Sequence, residues 1–416
     1  MANQFNTNKK TDLVALRAAE SAAYLTVGSK AYFGDQLEGK RNGTSYEFVI
    51  RDAGEYAEGM DMTGHVSNLV ERKVTKNIKL GNILIDTNLL EKVTDVEWDK
   101  EIAIPNGKKL INGVVQSTIA DDLGQQNTAF VGAGWLPLSK ASRFLGSISS
   151  DARYGFIDPN IDSIMAAAGK SFDPADVEPL YKKGMLGNGF GTEWRETQFL
   201  PSIVITDAQA QAFSGVTVST FATAEADGSL YAGSIVLSGS IAAPKGTPFF
   251  IEGVYACDTV GDKTNSLAAF IVDQDNAEAT TKLVASDGLH QGKIFVGATN
   301  GGRGTRMICT ADGSDVNSTY ITGKKLIAPE AGTYFMGIVR VDGAMEFETL
   351  KKLDWSNADQ SSDNIEGIKV HEGRAVDVIT GSNKTRWAVA SLAGIVEPRA
   401  CALVLVKDVS ANLVTL

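Results

Sequence analysis

Apolar positions along this chain change period several times, and each change marks an element. Leu110, Ile111, Val114, Val115, Ile119 and Leu123 recur at three- and four-residue intervals, the stripe of an amphipathic helix. Pro105-Asn106-Gly107 stands at its start and Gly124 can close it, while Gly113 weakens it slightly. The stretch Asp95 to Ile104 reads as part of the same element, bent or interrupted at Pro105. Near the start, Leu13, Leu16 and Ala19 share a helical face within an N-terminal arm, residues 1–28. Residues 138–150 are a further helix candidate. In YGFIDPNIDSIMAAAG a short strand leads to Asp158 as N-cap, Pro159 at the first helical position, a helix to Ala168, and Gly169 as its stop.

Period two appears elsewhere. A strand-like run, Tyr46 to Ile50, is followed by a polar stretch and a second run from about Val66 to Leu80. In the second run Val70, Val74, Ile78 and Leu80 fall on one face, and Glu71, Lys73, Thr75, Asn77 and Lys79 on the other. Arg72 and Lys76 interrupt the apolar face, so the strand does not simply lie on a core. Two such strands joined by polar, Gly-containing residues predict a long projecting hairpin. Its charge is uneven. Asp52, Glu55, Glu58 and Asp61 fall in a segment with no base, and the return strand carries Arg72, Lys73, Lys76 and Lys79.

From about residue 206 to 340 the texture turns to Gly, Ala, Ser, Thr and Val, with short runs VTVSTF, GSIVLSG, TPFFIEGVYA, LAAFIVD, GKIFVG and TRMICT. Turn signals between them predict a small antiparallel barrel or sandwich. The chain then returns to mixed texture and ends in AVASLAGIVEPRACALVLVKD, two apolar strands around a Glu-Pro turn. An all-β block between two α+β blocks reads as an insertion.

Composition narrows the function classes. The 416 residues are 43% hydrophobic and 21% charged, the balance of ordinary folded protein. A net charge of −11 argues against gripping nucleic acid, which needs a surplus of Lys and Arg on one face. Cys257, Cys309 and Cys401 form no CxxC pair and read as small buried hydrophobes. No apolar run is long enough to span a membrane, and the first residues lack a signal-peptide core.

Chemistry-bearing patterns are missing. His65, His290 and His371 show no metal-ligand spacing, so no metal site is expected. There is no GxSxG elbow. GATNGGRGT (297–305) puts Arg303 and Gly304 where a phosphate loop needs Lys and Ser or Thr, and reads as a β-turn loop. GNGFGTEW (187–194) lacks the dinucleotide fingerprint and reads as a flexible loop. The expectation is no catalytic residue and no cofactor.

The order of elements resembles the major capsid proteins of tailed bacteriophages, the Hong Kong 97 fold. It is most similar to coat proteins of short-tailed Salmonella-type phages with an inserted β-barrel. The stretches that carry the resemblance are EGMDMTG (58–64), residues 154–203, VLSGSIAAPKGTPFFIEGVYA (236–256) and residues 366–405 with their RWAV-type strand. No single one of them is specific. The resemblance implies an α+β fold divided as follows: an N-terminal arm, 1–28; an extended hairpin loop and flanking strands, 29–80; a long-helix peripheral domain, 81–128; a first axial part, 129–210; an inserted antiparallel β-barrel, 211–335; and an axial and peripheral completion with tail, 336–416.

The same resemblance implies a major capsid protein whose homo-pentamers and homo-hexamers form an icosahedral shell. The shell encloses double-stranded DNA without sequence-specific binding. It implies a separate scaffolding protein, since no long propeptide precedes the arm, a portal protein, and room for a decoration protein. It places the protein in the virion, assembled in the host cytoplasm, with no membrane partner. The hairpin charges Asp52, Glu55, Glu58, Asp61, Arg72, Lys73, Lys76 and Lys79 would then form a subunit interface. The alternative is a β-rich phage decoration, tail or adhesin binding module, which leaves the long helix and the chain's return unexplained.

Overall fold

The structure, a computed structural model, describes residues 7–32, 45–51, 71–86, 99–169, 188–222, 234–241, 243–272, 280–284, 307–314, 316–350, 353, 359–377 and 382–409. The chain divides into two compact units, each assembled from separate stretches. One comprises residues 1–48, 75–120 and 345–394, and the other residues 49–74, 121–344 and 395–416.

The first unit is built on the long helix, Ile104–Asp122, whose last two residues fall in the other unit. All six stripe residues expected from the sequence are buried. Asp99–Ala103 forms a π-helical turn that runs directly into this helix. The bend expected at Pro105 is therefore a change of helical pitch one residue earlier. Pro105 sits in the first turn, where its missing N–H costs no internal bond.

The N-terminal helix Thr7–Glu20 presents a different face from the expected one. Val14, Ala15, Ala18 and Ala19 are buried, whereas Leu16 is 39% exposed. The reason lies across the contact. A Cβ at Gly107 would stand 2.7 Å from the Val14 carbonyl oxygen and 3.0 Å from Arg17 Cβ. Two helices approach this closely only where both offer small residues, so alanines face inward and the leucine is turned out. Gly113 lies on the exposed side of the same long helix, and a Cβ there would meet nothing within 4 Å. The two glycines should respond oppositely to alanine. Gly113→Ala is expected to stabilise by about 1 kcal/mol through helix propensity. Gly107→Ala meets backbone, and its overpacking of about 1–3 kcal/mol outweighs that gain. Denaturant melts of both variants check this, and stabilisation by Gly107→Ala would contradict the close approach.

A sheet completes this unit. Lys79–Asp86 pairs antiparallel with the long strand Ser382–Ile395, in register from Lys79↔Ser391 to Asp86↔Lys384. Ile368–Asp377 pairs with the same strand, and Asp359–Ile365 lies outside that. Gly81 lets the first strand cross the long helix, since a Cβ there would stand 3.0 Å from Val114 Cγ2.

The second unit holds a seven-stranded sheet. Gly332–Val341 lies centrally, antiparallel to Cys401–Lys407 and to Arg153–Ile157, and Thr128–Gly132 forms one edge, parallel to Cys401–Lys407. Helix Leu136–Ile148 covers it with Leu138, Ala141 and Leu145. Strand Arg153–Ile157 leads through Asp158 into helix Pro159–Gly169, and Asp158 Oδ1 accepts from the Asn160 N–H at 2.8 Å, the cap expected from the sequence.

Of GNGFGTEW, residues 188–194 are described, and they form a hairpin rather than the flexible loop expected. Asn188–Gly189 and Thr192–Glu196 pair antiparallel around Phe190 and Gly191, with φ of 57° and 74°. Positive φ at both central residues is the two-residue hairpin turn whose twist suits antiparallel strands. Arg153 fastens it, its Nε donating to the Gly191 carbonyl at 3.1 Å and its guanidinium to the Ser142 carbonyl at 2.7 Å.

The stretch read as a barrel forms two antiparallel sheets among the described residues. Val218–Ala222, Ser234–Ile241 and Thr280–Val284 make one. Lys263–Ile271, Pro248–Cys257 and Ile308–Cys309 make the other, with Leu326–Ile327 also on Pro248–Cys257. GKIFVG and GATNGGRGT lie outside the described residues. Phe213, Phe249 and Phe270 of this stretch join one continuous core with Leu145, Trp194 and Val404. Cys257, Cys309 and Cys401 are buried and form no disulfide, as read from the sequence.

Candidate functional site: the hairpin and its return strand

The hairpin begins as expected. Ser45–Arg51 and Glu71–Asn77 pair as a two-stranded sheet. Asp52, Glu55, Glu58 and Asp61 lie outside the described residues. Arg72 and Lys73 lie on the return strand.

The remaining two bases are placed, and they turn toward their own chain. Lys76 is 7% exposed. Lys79 is half-buried and its Nζ donates to Thr118 Oγ1 at 3.4 Å; that hydroxyl in turn donates to the Val114 carbonyl of the long helix. Both were expected at a subunit interface, Lys76 as an interruption of the apolar face and Lys79 on the polar one. Burying an ammonium is costly without compensation, and for Lys79 the Thr118 hydroxyl supplies part of it.

The expected single strand to Leu80 is two strands. Regular pairing stops at Asn77 and resumes at Lys79, with Ile78 between. That interruption changes the parity of the faces. Even-numbered Lys76 is buried, but beyond Ile78 the odd-numbered Gly81, Ile83 and Ile85 are the more covered. Leu80 and Leu84 point outward, 46% and 63% exposed. In a strand a one-residue slip exchanges the two faces, and this is such a slip. Leu80 therefore leaves the apolar face to which its period assigns it. Between the two leucines, Asn82 Oδ1 accepts from Arg386 Nε at 2.9 Å on the paired strand.

Charged groups with no counterpart among the expected site residues hold the C-terminal turn. Glu397 and Arg399 flank Pro398 in a short 3-10 turn between Ser382–Ile395 and Cys401–Lys407. The Arg399 guanidinium is 1% exposed and meets both carboxylate oxygens of Glu397, at 2.8 and 2.9 Å. Burial works against its charge, but the Glu397 carboxylate overrides that and holds the Arg399 pKa above its ordinary value. Asp122, fully buried, accepts the Ile395 N–H at 2.8 Å. A Glu-Pro-Arg triplet inside an apolar run was the available signal for this clamp.

Among the described residues no three His, Cys, Asp or Glu side chains gather as a metal site, and no helix is long and apolar enough to cross a membrane.

No protein-family model matches the chain, and no curated protein does. Solved structures do. One from Mycobacterium phage Che8 superposes with a TM-score of 0.42 at 9% identity, over 91% of this chain and 89% of that one. The capsid of cyanophage P-SCSP1u gives 0.40 at 10% identity, over 88% and 84%. A virus-like particle from Pyrococcus furiosus gives 0.38 at 8% identity, over 95% and 98%. Likeness at this level assigns no role to any residue of this chain, whose own geometry must carry the functional reading.

Proposed function

We propose that this chain is the major capsid protein of a tailed phage. Its copies form pentamers and hexamers of an icosahedral shell around DNA, in the virion, with a separate scaffolding protein and a portal protein. The hairpin, continued by its acidic tip, is the element that engages a neighbouring copy. The stretch between about 211 and 335 is an insertion that shares the core of an α+β body of this capsid type.

One observation carries this reading. The two C-terminal strands return to bracket the long helix in sequence: Ser382–Ile395 pairs with the strand before it, Lys79–Asp86, and Cys401–Lys407 pairs with the strand after it, Thr128–Gly132. A β-rich adhesin or decoration module, the alternative, has no use for a long helix whose flanking strands in sequence both pair with the far end of the chain. A capsid subunit does, because its body must be closed before a hairpin can reach outward. No catalytic constellation is part of the proposal, and the protein acts by assembly.

Mass measurement by light scattering of the expressed full chain tests this. The expected result is a concentration-dependent rise to five- or six-chain species and beyond. A fixed monomer or trimer at every concentration and salt would sink the reading.

A further inference from the structure

The second unit contains a basic cleft in a protein whose net charge is −11. Its volume is about 780 Å³. Two strand edges form its walls. Thr128–Gly132 is the edge of the seven-stranded sheet, and Lys263–Ile271 is the edge of its own sheet. The two meet where the Ala269 N–H donates to the Asn127 carbonyl and Thr128 Oγ1 to the Leu267 carbonyl, each at 3.0 Å. Beyond that point both line the cleft without being paired to each other.

Helix Leu136–Ile148 supplies a third wall. Lys140, Arg143 and Ser147 follow one another at helical spacing on its exposed side and line the cleft. Among the described residues no side-chain hydrogen bond or ion pair holds Lys140 or Arg143. Lys263 adds a third cation, held by donation to the Ala311 carbonyl at 2.6 Å and lying over the Tyr255 ring. The lone acid in the lining, Asp258, is occupied by the N–H groups of Val260 and Asp262. Phe130 and Phe144 provide an apolar floor, with ring centroids 5.6 Å apart.

Open strand edges take an extended backbone, three cations take acids, and an aromatic floor takes an apolar side chain. The chain contains such a ligand. DAGEYAEGMD, Asp52 to Asp61, has four acids and no base, with Tyr56 and Met60 among them. Lys140 and Arg143 are exposed, open to an acidic partner. We propose that this cleft is the seat of the acidic hairpin tip of a second copy. The inference rests on the shell reading and names the receptor that the reading leaves open.

Thiol crosslinking tests it, because Cys257, Cys309 and Cys401 are buried and do not compete. Full-length Arg143→Cys is mixed with full-length Glu55→Cys under mild oxidation. The expected product is a disulfide-linked dimer of the two variants, with about tenfold lower yield when the first also carries Lys140→Glu, the size of one lost charge contact. No linked dimer in a mixture that does form multimers overturns the proposal. So does linkage within one chain carrying both cysteines at concentrations where it is monomeric. If the parent forms no multimers, the shell reading fails instead, and peptide DAGEYAEGMD still decides the cleft. Its binding to the full chain should weaken about tenfold in Lys140→Glu/Arg143→Glu. Equal binding to both, or a short DNA oligonucleotide outcompeting the peptide, refutes the assignment.

Discussion

Replacing Glu397 by glutamine is expected to cost about 3 kcal/mol of folding stability, the low end for breaking a buried ion pair. The shape and one hydrogen bond survive, but the charge does not. Arg399, 1% exposed, then keeps its positive charge away from water with its carboxylate gone. Glu397 retains 17% of its exposure, which tempers the loss. A control sits in the same unit. Arg195 and Glu193 are 2.6 Å apart but 41% exposed each, so Glu193→Gln should cost less than about 1 kcal/mol. Urea titration of the full chain reads both. A further arm separates the clamp's charge from its packing: Glu397→Leu with Arg399→Met should be less damaging than Glu397→Gln alone, because it leaves no unpaired buried charge. Equal small effects at 397 and 193 would show that the turn tolerates an unpaired guanidinium.

Reversing Arg72 and Lys73 to Glu is expected to prevent assembly at concentrations where the parent chain assembles, while the monomer melts unchanged. The return strand then repels an acidic partner surface, and like-charge juxtaposition costs several kcal/mol per contact set. Lys76 must be left out of this experiment. At 7% exposure its replacement by Glu would place a new buried carboxylate in the fold, and lost assembly would report misfolding. Size-exclusion profiles with circular dichroism melts separate the two causes. Unchanged assembly in Arg72→Glu/Lys73→Glu would mean that these charges only keep the hairpin soluble.

The sequence carried some of this structure openly. The long helix showed its stripe because its buried face is wide and made of large side chains, which periodicity detects. Asp158-Pro159 announced a helix start because capping is local chemistry. The apolar run after Pro398 could only be a buried strand. Other features depended on partners far away in sequence. The N-terminal helix turns its alanines inward because Gly107, some ninety residues on, permits a close approach. The parity change at Ile78 follows from pairing with Ser382–Ile395, which no local period contains. Lys76 looked like an interruption of an apolar face and is instead a buried residue on that face. The turn at Phe190-Gly191 was hidden because an aromatic at positive φ is uncommon and is not a sequence signal for a tight turn. The acidic segment was legible as charge alone, and the cleft was not, since its lining comes from five separated stretches of chain.

A shell subunit whose hairpin engages the next copy must show that contact in the assembled particle. The most direct test is a cryo-electron microscopy reconstruction of the particles formed when the full chain is expressed with its neighbouring genes. Closed icosahedral shells are expected, in which the hairpin that starts at Ser45–Arg51 and returns through Glu71–Asn77 lies across an adjacent subunit. Particles in which the hairpin packs only against its own chain, or the absence of any closed or ring-shaped particle, would contradict it.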